Sequence, residues 1–142
     1  MLRRSLLSML VSLVVLACGD STSPTTPTKT DPLLGTWRLQ TVSGHPIPYI
    51  LEQDGARKVE LTGEDVMLFA AGKQTMVTFF RTTEGGNVST ESVPAPGHYT
   101  VNGTTLTLTF DADEDIYTAI VNGDTMTIDD IGLTFLYRRD PL

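Results

Sequence analysis

The sequence predicts an all-β domain, an antiparallel meander that either closes into a barrel or folds into a sandwich. From Leu33 onward, short segments alternate apolar and polar residues with the period of two that is typical of strands. Tight turns, several of them containing glycine, separate these segments at short intervals, and no segment combines helical period with helical length. The chain has 142 residues, enough for one small domain and too few for two once the amino-terminal segment is set aside.

The predicted strands follow one another from residue 35 to residue 139. They comprise residues 35–42, 58–62, 66–70, 75–81, 97–101, 104–110, 116–121, 125–128 and 133–139. The segment 66–70 is apolar on both faces, so we expect its outer face to be covered. Asn102-Gly103 and Asn122-Gly123 predict type I′ hairpin turns, in which both central residues have positive φ. Residues 48–53 predict one short turn of helix.

The amino terminus predicts export. Arg3 and Arg4 precede an apolar run at residues 6–16, which is too short to span a bilayer as a stable helix. Val15-Leu16-Ala17-Cys18 resembles the lipobox of bacterial lipoproteins. This resemblance implies cleavage after Ala17, diacylglyceryl transfer to the Cys18 sulfur and acylation of the new amino terminus.

The chain therefore divides into three predicted parts. Residues 1–17 are a lipoprotein signal peptide, residues 18–32 are the lipidated cysteine with a Ser/Thr/Pro tether, and residues 33–142 are the β domain. We expect membrane attachment through Cys18 in the cell envelope. Gly19 is not the aspartate that retains lipoproteins in the inner membrane of enteric bacteria, so we expect the outer membrane.

Charge and cysteine content exclude several classes of function. The formal charge is −7, and removal of the signal peptide, which carries two arginines and no acid, makes it −9. Such a chain lacks the basic surface that nucleic acid or anionic lipid requires. Because Cys18 is the only cysteine, the folded domain contains no disulfide and no thiolate metal site.

Both ends of the domain resemble a known family. Residues 34–39 (Leu-Gly-Thr-Trp-Arg-Leu) resemble the Gly-x-Trp signature of lipocalin-like and wider calycin barrels, and residues 42–49 resemble the segment that follows it in small bacterial lipocalin-like lipoproteins. Residues 135–139 resemble their last strand, which closes the barrel. The opening is also similar to META-type envelope domains, but their Gly-Cys-Asn motif is absent.

The resemblance implies a small antiparallel up-and-down β-barrel of about eight strands, lipocalin-like, with a barrel-closing signature. Gly35 lets the backbone pass closely, and Trp37 fills one end of the barrel. Alternation along the last strand favours Arg139 rather than Arg138 as the cation that covers Trp37. This group is structural and performs no chemistry.

No catalytic or metal motif is recognisable. The sequence lacks Gly-x-Ser-x-Gly, a phosphate-binding loop and His-Glu-x-x-His, so we expect no enzyme, no metal and no cofactor. The acidic run 111–115 could suit Ca²⁺, but it has no glycine at its sixth position and has Asn122 rather than glutamate at its twelfth. We expect a solvated hairpin there, and structural or exposed roles for His45 and His98.

The barrel interior is the remaining candidate site. The possible ligand-lining residues are Leu39, Leu61, Leu68, Tyr99, Leu106, Leu108, Tyr117, Phe135 and Tyr137. They could form a pocket for a small hydrophobic ligand or an ordinary packed core. In the second case, the filled barrel would act through its surface as an envelope protein-interaction module or protease inhibitor. An exposed apolar patch or a projecting loop, such as residues 81–96, would then be expected.

Overall fold

The computed structural model of the protein describes residues 32–113 and 115–140, which form ten strands. The strands are β1 (Gly35–Val42), β2 (His45–Pro46), β3 (Tyr49–Asp54), β4 (Arg57–Phe69), β5 (Lys73–Glu84), β6 (Asn87–Asn102), β7 (Thr105–Phe110), β8 (Ile116–Asn122), β9 (Thr125–Asp130) and β10 (Leu133–Arg139). The predicted signal peptide, Cys18 and the tether up to residue 31 lie outside the described residues, as does Glu114. In the described part, no helix is long and apolar enough to cross a membrane.

Eight of the strands close into an antiparallel barrel. Their order is β1-β10-β9-β8-β7-β6-β5-β4, and β4 pairs back with β1, for example at Trp37 and Val66. The predicted all-β up-and-down barrel of about eight strands is therefore confirmed. The remaining two strands are additions, because β2 forms a short hairpin with β1 and β3 pairs with the first half of β4.

Three segment predictions were wrong. Residues 81–96, expected as a projecting loop before a strand at 97–101, belong instead to the hairpin of β5 and β6, because residues 87–96 pair with β5. Residues 49–54 form strand β3 rather than a helical turn, because they find hydrogen-bonding partners on β4. The predicted strands 58–62 and 66–70 are one strand of 13 residues. A bulge between Leu61 and Gly63 absorbs one residue without breaking the pairing with β5. The outer face of this strand is only partly covered, since Phe69 is 47% exposed.

The predicted hairpins at residues 102–103 and 122–123 are present, with a different turn geometry. Gly103 (φ 62°) and Gly123 (φ 60°) take the first central position, and the preceding asparagines end the strands. Positive φ at the first central residue alone is the pattern of a type II′ turn, which requires glycine there. Positive φ at both central residues, the pattern of a type I′ turn, occurs instead at Ser43-Gly44, Gly85-Gly86 and Ile131-Gly132.

The hydrophobic core fills most of the barrel. Its buried members are Trp37, Leu39, Val42, Leu61, Val66, Leu68, Tyr99, Leu106, Leu108, Phe110, Ala119, Val121, Met126, Ile128 and Tyr137. We call the end that contains Trp37 and Arg139 the base, and the opposite end, after Phe110 and Asp130, the mouth.

Three strands extend past the mouth. In β6, only residues 97–102 pair with β7, whereas residues 87–96 pair with β5 alone. The first half of β4 and all of β3 complete this four-stranded sheet, which we call the extension. Ten residues of strand correspond to about 30 Å, so the extension is a large projecting feature of the domain.

Candidate functional site

Trp37 and Arg139 form the base of the barrel. Trp37 is completely buried, and its indole Nε1 donates a hydrogen bond to the carbonyl oxygen of Leu33 at 3.0 Å. The Arg139 Cζ lies 5.7 Å from the centroid of the Trp37 ring, within the range of a cation–π contact. Gly35 opens the first strand with φ 122°, a conformation that favours glycine.

Arg139 also ties the incoming chain to the base. Its Nη2 lies 2.5 Å from Asp124 Oδ1, and its Nη1 donates a hydrogen bond to the carbonyl oxygen of Pro32. Arg138 points to the opposite face of β10 and is exposed. It lies opposite Arg38 in the pairing of β10 with β1. The polypeptide that precedes residue 32 therefore joins the barrel at the base, at the end remote from the mouth.

The nine predicted ligand-lining residues all belong to the core or pack against it, but they do not form one common cavity. Seven are buried: Leu39, Leu61, Leu68, Tyr99, Leu106, Leu108 and Tyr137. Tyr117 and Phe135 are half-buried. Three of the nine, Tyr117, Phe135 and Tyr137, meet around a cavity near the mouth. At the base, Leu106 lines a separate cleft beside Arg139.

The mouth contains a small cavity and, next to it, a larger cleft. The cavity has a volume of about 70 Å³ and is lined by Glu64, Met76, Tyr117, Ile128, Asp130, Phe135 and Tyr137. The cleft, of about 300 Å³, shares Met76 and Tyr117 and adds Val93, Pro94, Ala95, Pro96, Phe110, Ala112, Asp113 and Asp115. Even without the inner cavity, the volume of the cleft reaches the lower end of the range for small-ligand pockets, about 300 to 1,000 Å³. We call the cavity and the cleft together the mouth site.

Glu64 is the most unusual residue of the mouth site. It follows the bulge in β4, which places it opposite Thr78 and on the same face as the inward-facing Val66. Thr78 Oγ1 donates a hydrogen bond to Glu64 Oε2 at 2.6 Å, and the Tyr137 hydroxyl donates one to Oε1. Burial raises the pKa of the Glu64 carboxyl, the two hydrogen bonds oppose this change, and the negative charge of Asp130 adds to it.

Two tyrosines share this environment. Burial, followed by the neighbouring Glu64 charge, raises the pKa of Tyr137 well above its usual value. Burial and the charge of Asp130 raise the pKa of Tyr117. Both hydroxyls therefore remain protonated hydrogen-bond donors at neutral pH. The Tyr117 ring packs edge-on against Phe110 at a centroid distance of 5.4 Å, which fixes one wall of the cleft.

Gln74 lies deeper in the barrel than the mouth site. It is 2% exposed, and neither its Nε2 nor its Oε1 has a hydrogen-bond partner in the described structure. On β5 it is two positions from Met76, so both side chains share the inward face. An unpaired buried amide is unusual, since each such atom loses the hydrogen bonds that water would provide.

The histidines and the acidic run do not join these residues. His98 Nδ1 lies 3.2 Å from Asp111 Oδ1, with both side chains more than half exposed. His45 is exposed on β2, next to Tyr49. In the described residues, no group of three or more His, Cys, Asp or Glu side chains could hold a metal ion.

Sequence reasoning missed Glu64, Asp130 and Gln74 as interior residues. The sequence does contain a signal for them: each one occupies the inward-facing position next to a run of apolar residues that alternate at intervals of two. Glu64 precedes Val66 and Leu68 at intervals of two, Asp130 follows Met126 and Ile128 in the same way, and Gln74 precedes Met76.

The comparisons with known proteins agree with this architecture. The sequence model of the lipocalin-like domain family matches residues 33–128, which is about two-thirds of the chain and extends from the start of the domain into β9. Neither the curated proteins nor the solved structures contain a significant match. The family match and the closed eight-stranded barrel lead to the same conclusion, that the chain belongs to the lipocalin-like domain family.

Proposed function

We propose that this protein is a lipid-anchored lipoprotein of the cell envelope whose barrel binds a small hydrophobic ligand at the mouth site. The supporting observation is that the cavity and the cleft lie side by side at the mouth, where Met76 and Tyr117 line both of them. The walls are mostly apolar and aromatic, and a few polar groups converge among them, which is the usual composition of a small-ligand pocket. The proposed role is binding rather than catalysis.

The size of the mouth site limits the ligand. The inner cavity of about 70 Å³ admits only a few atoms, since one liquid water occupies about 30 Å³. The body of the ligand would therefore lie in the cleft, against Phe110 and Ala95, with one end inserted toward Glu64. A compact aromatic or short aliphatic molecule fits this shape better than a long-chain lipid.

Ligand binding can be tested with a blocked variant and a matched control. Ala95→Phe places a large ring in the cleft, whereas Ala70→Phe makes the same change at an exposed position near the base. We expect 2-phenylethanol to bind the purified chain in ligand-observed NMR. Ala95→Phe should weaken binding by about tenfold or more, which corresponds to about 1.4 kcal/mol. Equal binding to both variants, or no binding to the wild-type chain, would contradict the proposal.

Native mass spectrometry of the chain extracted from cells would complement this test. A co-purifying small molecule should be retained by the wild-type chain and lost from Ala95→Phe. Its mass would also show whether it fits a cleft of about 300 Å³.

The proposed anchor agrees with the geometry of the base. The chain enters the barrel at Pro32, beside Arg139, so a lipid anchor at Cys18 would be joined to the domain at the end remote from the mouth site. Acyl chains at that cysteine give stable attachment when two or more are present. Metabolic labelling with palmitate should mark the wild-type chain and leave Cys18→Ser unlabelled. Density-gradient separation should then place the wild-type chain in the outer membrane. A labelled Cys18→Ser chain would refute the assignment.

A second candidate function is an envelope protein-interaction module or protease inhibitor, favoured by the extension. Several of its apolar side chains are exposed: Ile50, Leu51, Val88 and Val93. Ile50 and Val88 share its outer face, because their cross-strand partners Glu60 and Thr83 lie on that face. The double variant Ile50→Ser, Val88→Ser should lose a crosslinked envelope partner that Ile120→Ser, on exposed β8, retains. Unchanged crosslinking would count against this role, and an inhibitor would also slow a protease at stoichiometric concentration.

A further inference from the structure

We infer that the ligand of the mouth site is a cationic amphiphile, a compact apolar body that carries a protonated amine. This inference rests on the proposed ligand-binding function and specifies the chemistry of the same site. The amine would enter the inner cavity and donate hydrogen bonds to the Glu64 and Asp130 carboxylates, and the apolar body would lie in the cleft.

The first argument is that two acids face one small cavity without a cation. Glu64 and Asp130 both line a space of about 70 Å³. In the part of the chain that the structure describes, no lysine, arginine or histidine forms an ion pair with either of them. The partners of Glu64 are the hydroxyls of Thr78 and Tyr137, which are neutral donors. Glu64 and Asp130 are each half-buried, and carboxylates withdrawn from water are ordinarily paired with a cation or bound to a metal.

The second argument is that the basic side chains around this end of the barrel are already occupied. Arg38, which lines a surface groove together with Glu64, contacts Asp140 at 2.7 Å. On the extension, Arg81 and Lys58 both contact Glu60, at 2.8 Å and 3.1 Å. Arg57 contacts Glu52 at 2.6 Å. The rim of the mouth adds Asp113 and Asp115 without a compensating base among the described residues. The uncompensated negative charge at this end would attract a cationic ligand and repel an anionic one.

The third argument is that aromatic rings flank the acids. Tyr117 and Phe135 line the inner cavity, and Phe110 continues the aromatic wall into the cleft. Aromatic faces attract ammonium groups when water is excluded, and they also bury an apolar body. Carboxylates combined with aromatic rings therefore suit a ligand that has both features.

The unpaired amide of Gln74 independently indicates that the interior accepts a polar guest. Both polar atoms of this nearly inaccessible side chain lack a partner among the described residues. Along the inward face of β5, Gln74 is followed by Met76 and then by Thr78, which contacts Glu64. Met76 has a flexible thioether side chain that can move aside.

The test compares three probes that share a phenyl body and differ in charge: 2-phenylethylamine, 2-phenylethanol and 3-phenylpropionate. Binding is measured by calorimetry with the purified chain at one pH and one ionic strength. We expect the amine to bind about tenfold tighter than the alcohol, the gain typical of a hydrogen bond to a charged group, and the carboxylate to bind most weakly. Equal affinities would overturn the inference while leaving the proposed ligand site intact. If no probe binds, both proposals fail.

Variants of Glu64 and Asp130 test whether these two acids cause the preference for the amine probe. Glu64→Gln keeps one acceptor oxygen, for the Tyr137 or the Thr78 hydroxyl, and its NH2 group can donate to the other hydroxyl. It should therefore retain the affinity for the alcohol and lose the preference for the amine. Glu84→Gln removes the same charge from an exposed position at the end of β5 that is remote from the barrel, and it should keep the preference. Asp130→Asn provides a second removal of charge if Glu64→Gln fails to fold. An amine preference that survives both cavity variants would refute the assigned site.

Discussion

A methyl group at Gly97 should separate two strands of the barrel. Gly97 lies in β6, opposite Gln74 on one side and Phe110 on the other. A Cβ added there would stand 2.0 Å from the carbonyl oxygen of Thr109 and 2.7 Å from Gln74 Nε2. Gln74 can rotate, but the Thr109 carbonyl is part of the backbone of β7. Because an ordinary contact begins near 3.4 Å, β6 and β7 would have to move apart by more than 1 Å.

This displacement sets the size of the effect. Overpacking of a well-packed core costs about 1 to 3 kcal/mol, and a backbone clash belongs at the upper end of that range. The reduced flexibility of the unfolded chain returns only about 0.4 to 1 kcal/mol. We therefore expect Gly97→Ala to lower the free energy of unfolding by about 2 to 3 kcal/mol. Substitution of Gln74 should not restore this stability, because the clash with Thr109 remains.

Urea unfolding followed by tryptophan fluorescence measures this effect directly, since Trp37 is the only tryptophan and is buried at the base. The midpoint should fall by about 1 M or more. Gly63→Ala is the matched control, because its added Cβ would meet only Phe79 Cδ2 at 3.4 Å. If Gly97→Ala unfolds at the same urea concentration as Gly63→Ala, the close approach of β6 and β7 deduced here is wrong.

Three further predictions concern the base and the interior. Arg139→Ala should destabilise the domain by about 1 kcal/mol in urea unfolding, since it removes the contact with Trp37, whereas the exposed Arg138→Ala should have little effect. Gln74→Met should raise the free energy of unfolding by about 1 kcal/mol or more, because it removes a buried amide without partners; a loss of stability would mean that the amide is satisfied. Because folding raises the pKa of Glu64, the native state holds the proton more tightly than the unfolded chain. Stability should therefore fall as pH rises from about 4.5 through the raised native pKa, by about 1.4 kcal/mol per unit of difference. Urea unfolding between pH 4 and pH 8 should show this decline in the wild type and its loss in Glu64→Gln; parallel profiles would contradict the burial of the ionised carboxyl.

The parts of the fold that depend on local signals were predictable from the sequence. Strands β7 to β10 are short, alternate regularly and meet at tight turns, so their positions and pairing follow from neighbouring residues alone. The geometry of the turns at Gly103 and Gly123 was not predictable in the same way, because an Asn-Gly pair can place either residue at the first central position.

The parts that depend on distant pairing were missed. The bulge near Thr62 keeps β4 continuous through a Gly-Glu-Asp sequence that has the composition of a turn. β3 is a strand because its backbone pairs with the edge of β4, whereas its own residues give only a weak sequence signal for a strand. The bulge also changes the parity of β4, so that Leu61 before it and Glu64 after it both face inward although three positions separate them.

The two ends of the barrel have different roles: the base stabilises the fold, and the mouth carries the proposed ligand site. At the base, Trp37 is wholly buried and its indole nitrogen is paired, so packing there stabilises the fold. Toward the mouth, Glu64 is desolvated and has no cation beside it among the described residues. Deeper in the barrel, the amide of Gln74 has no partner in the same part of the chain, and each of these features lowers stability. A domain of this size has only a few kcal/mol of net stability, so such costs are a substantial fraction of it. A guest that pairs with these groups would recover part of that loss on binding, which links the least stable region of the interior to the proposed ligand.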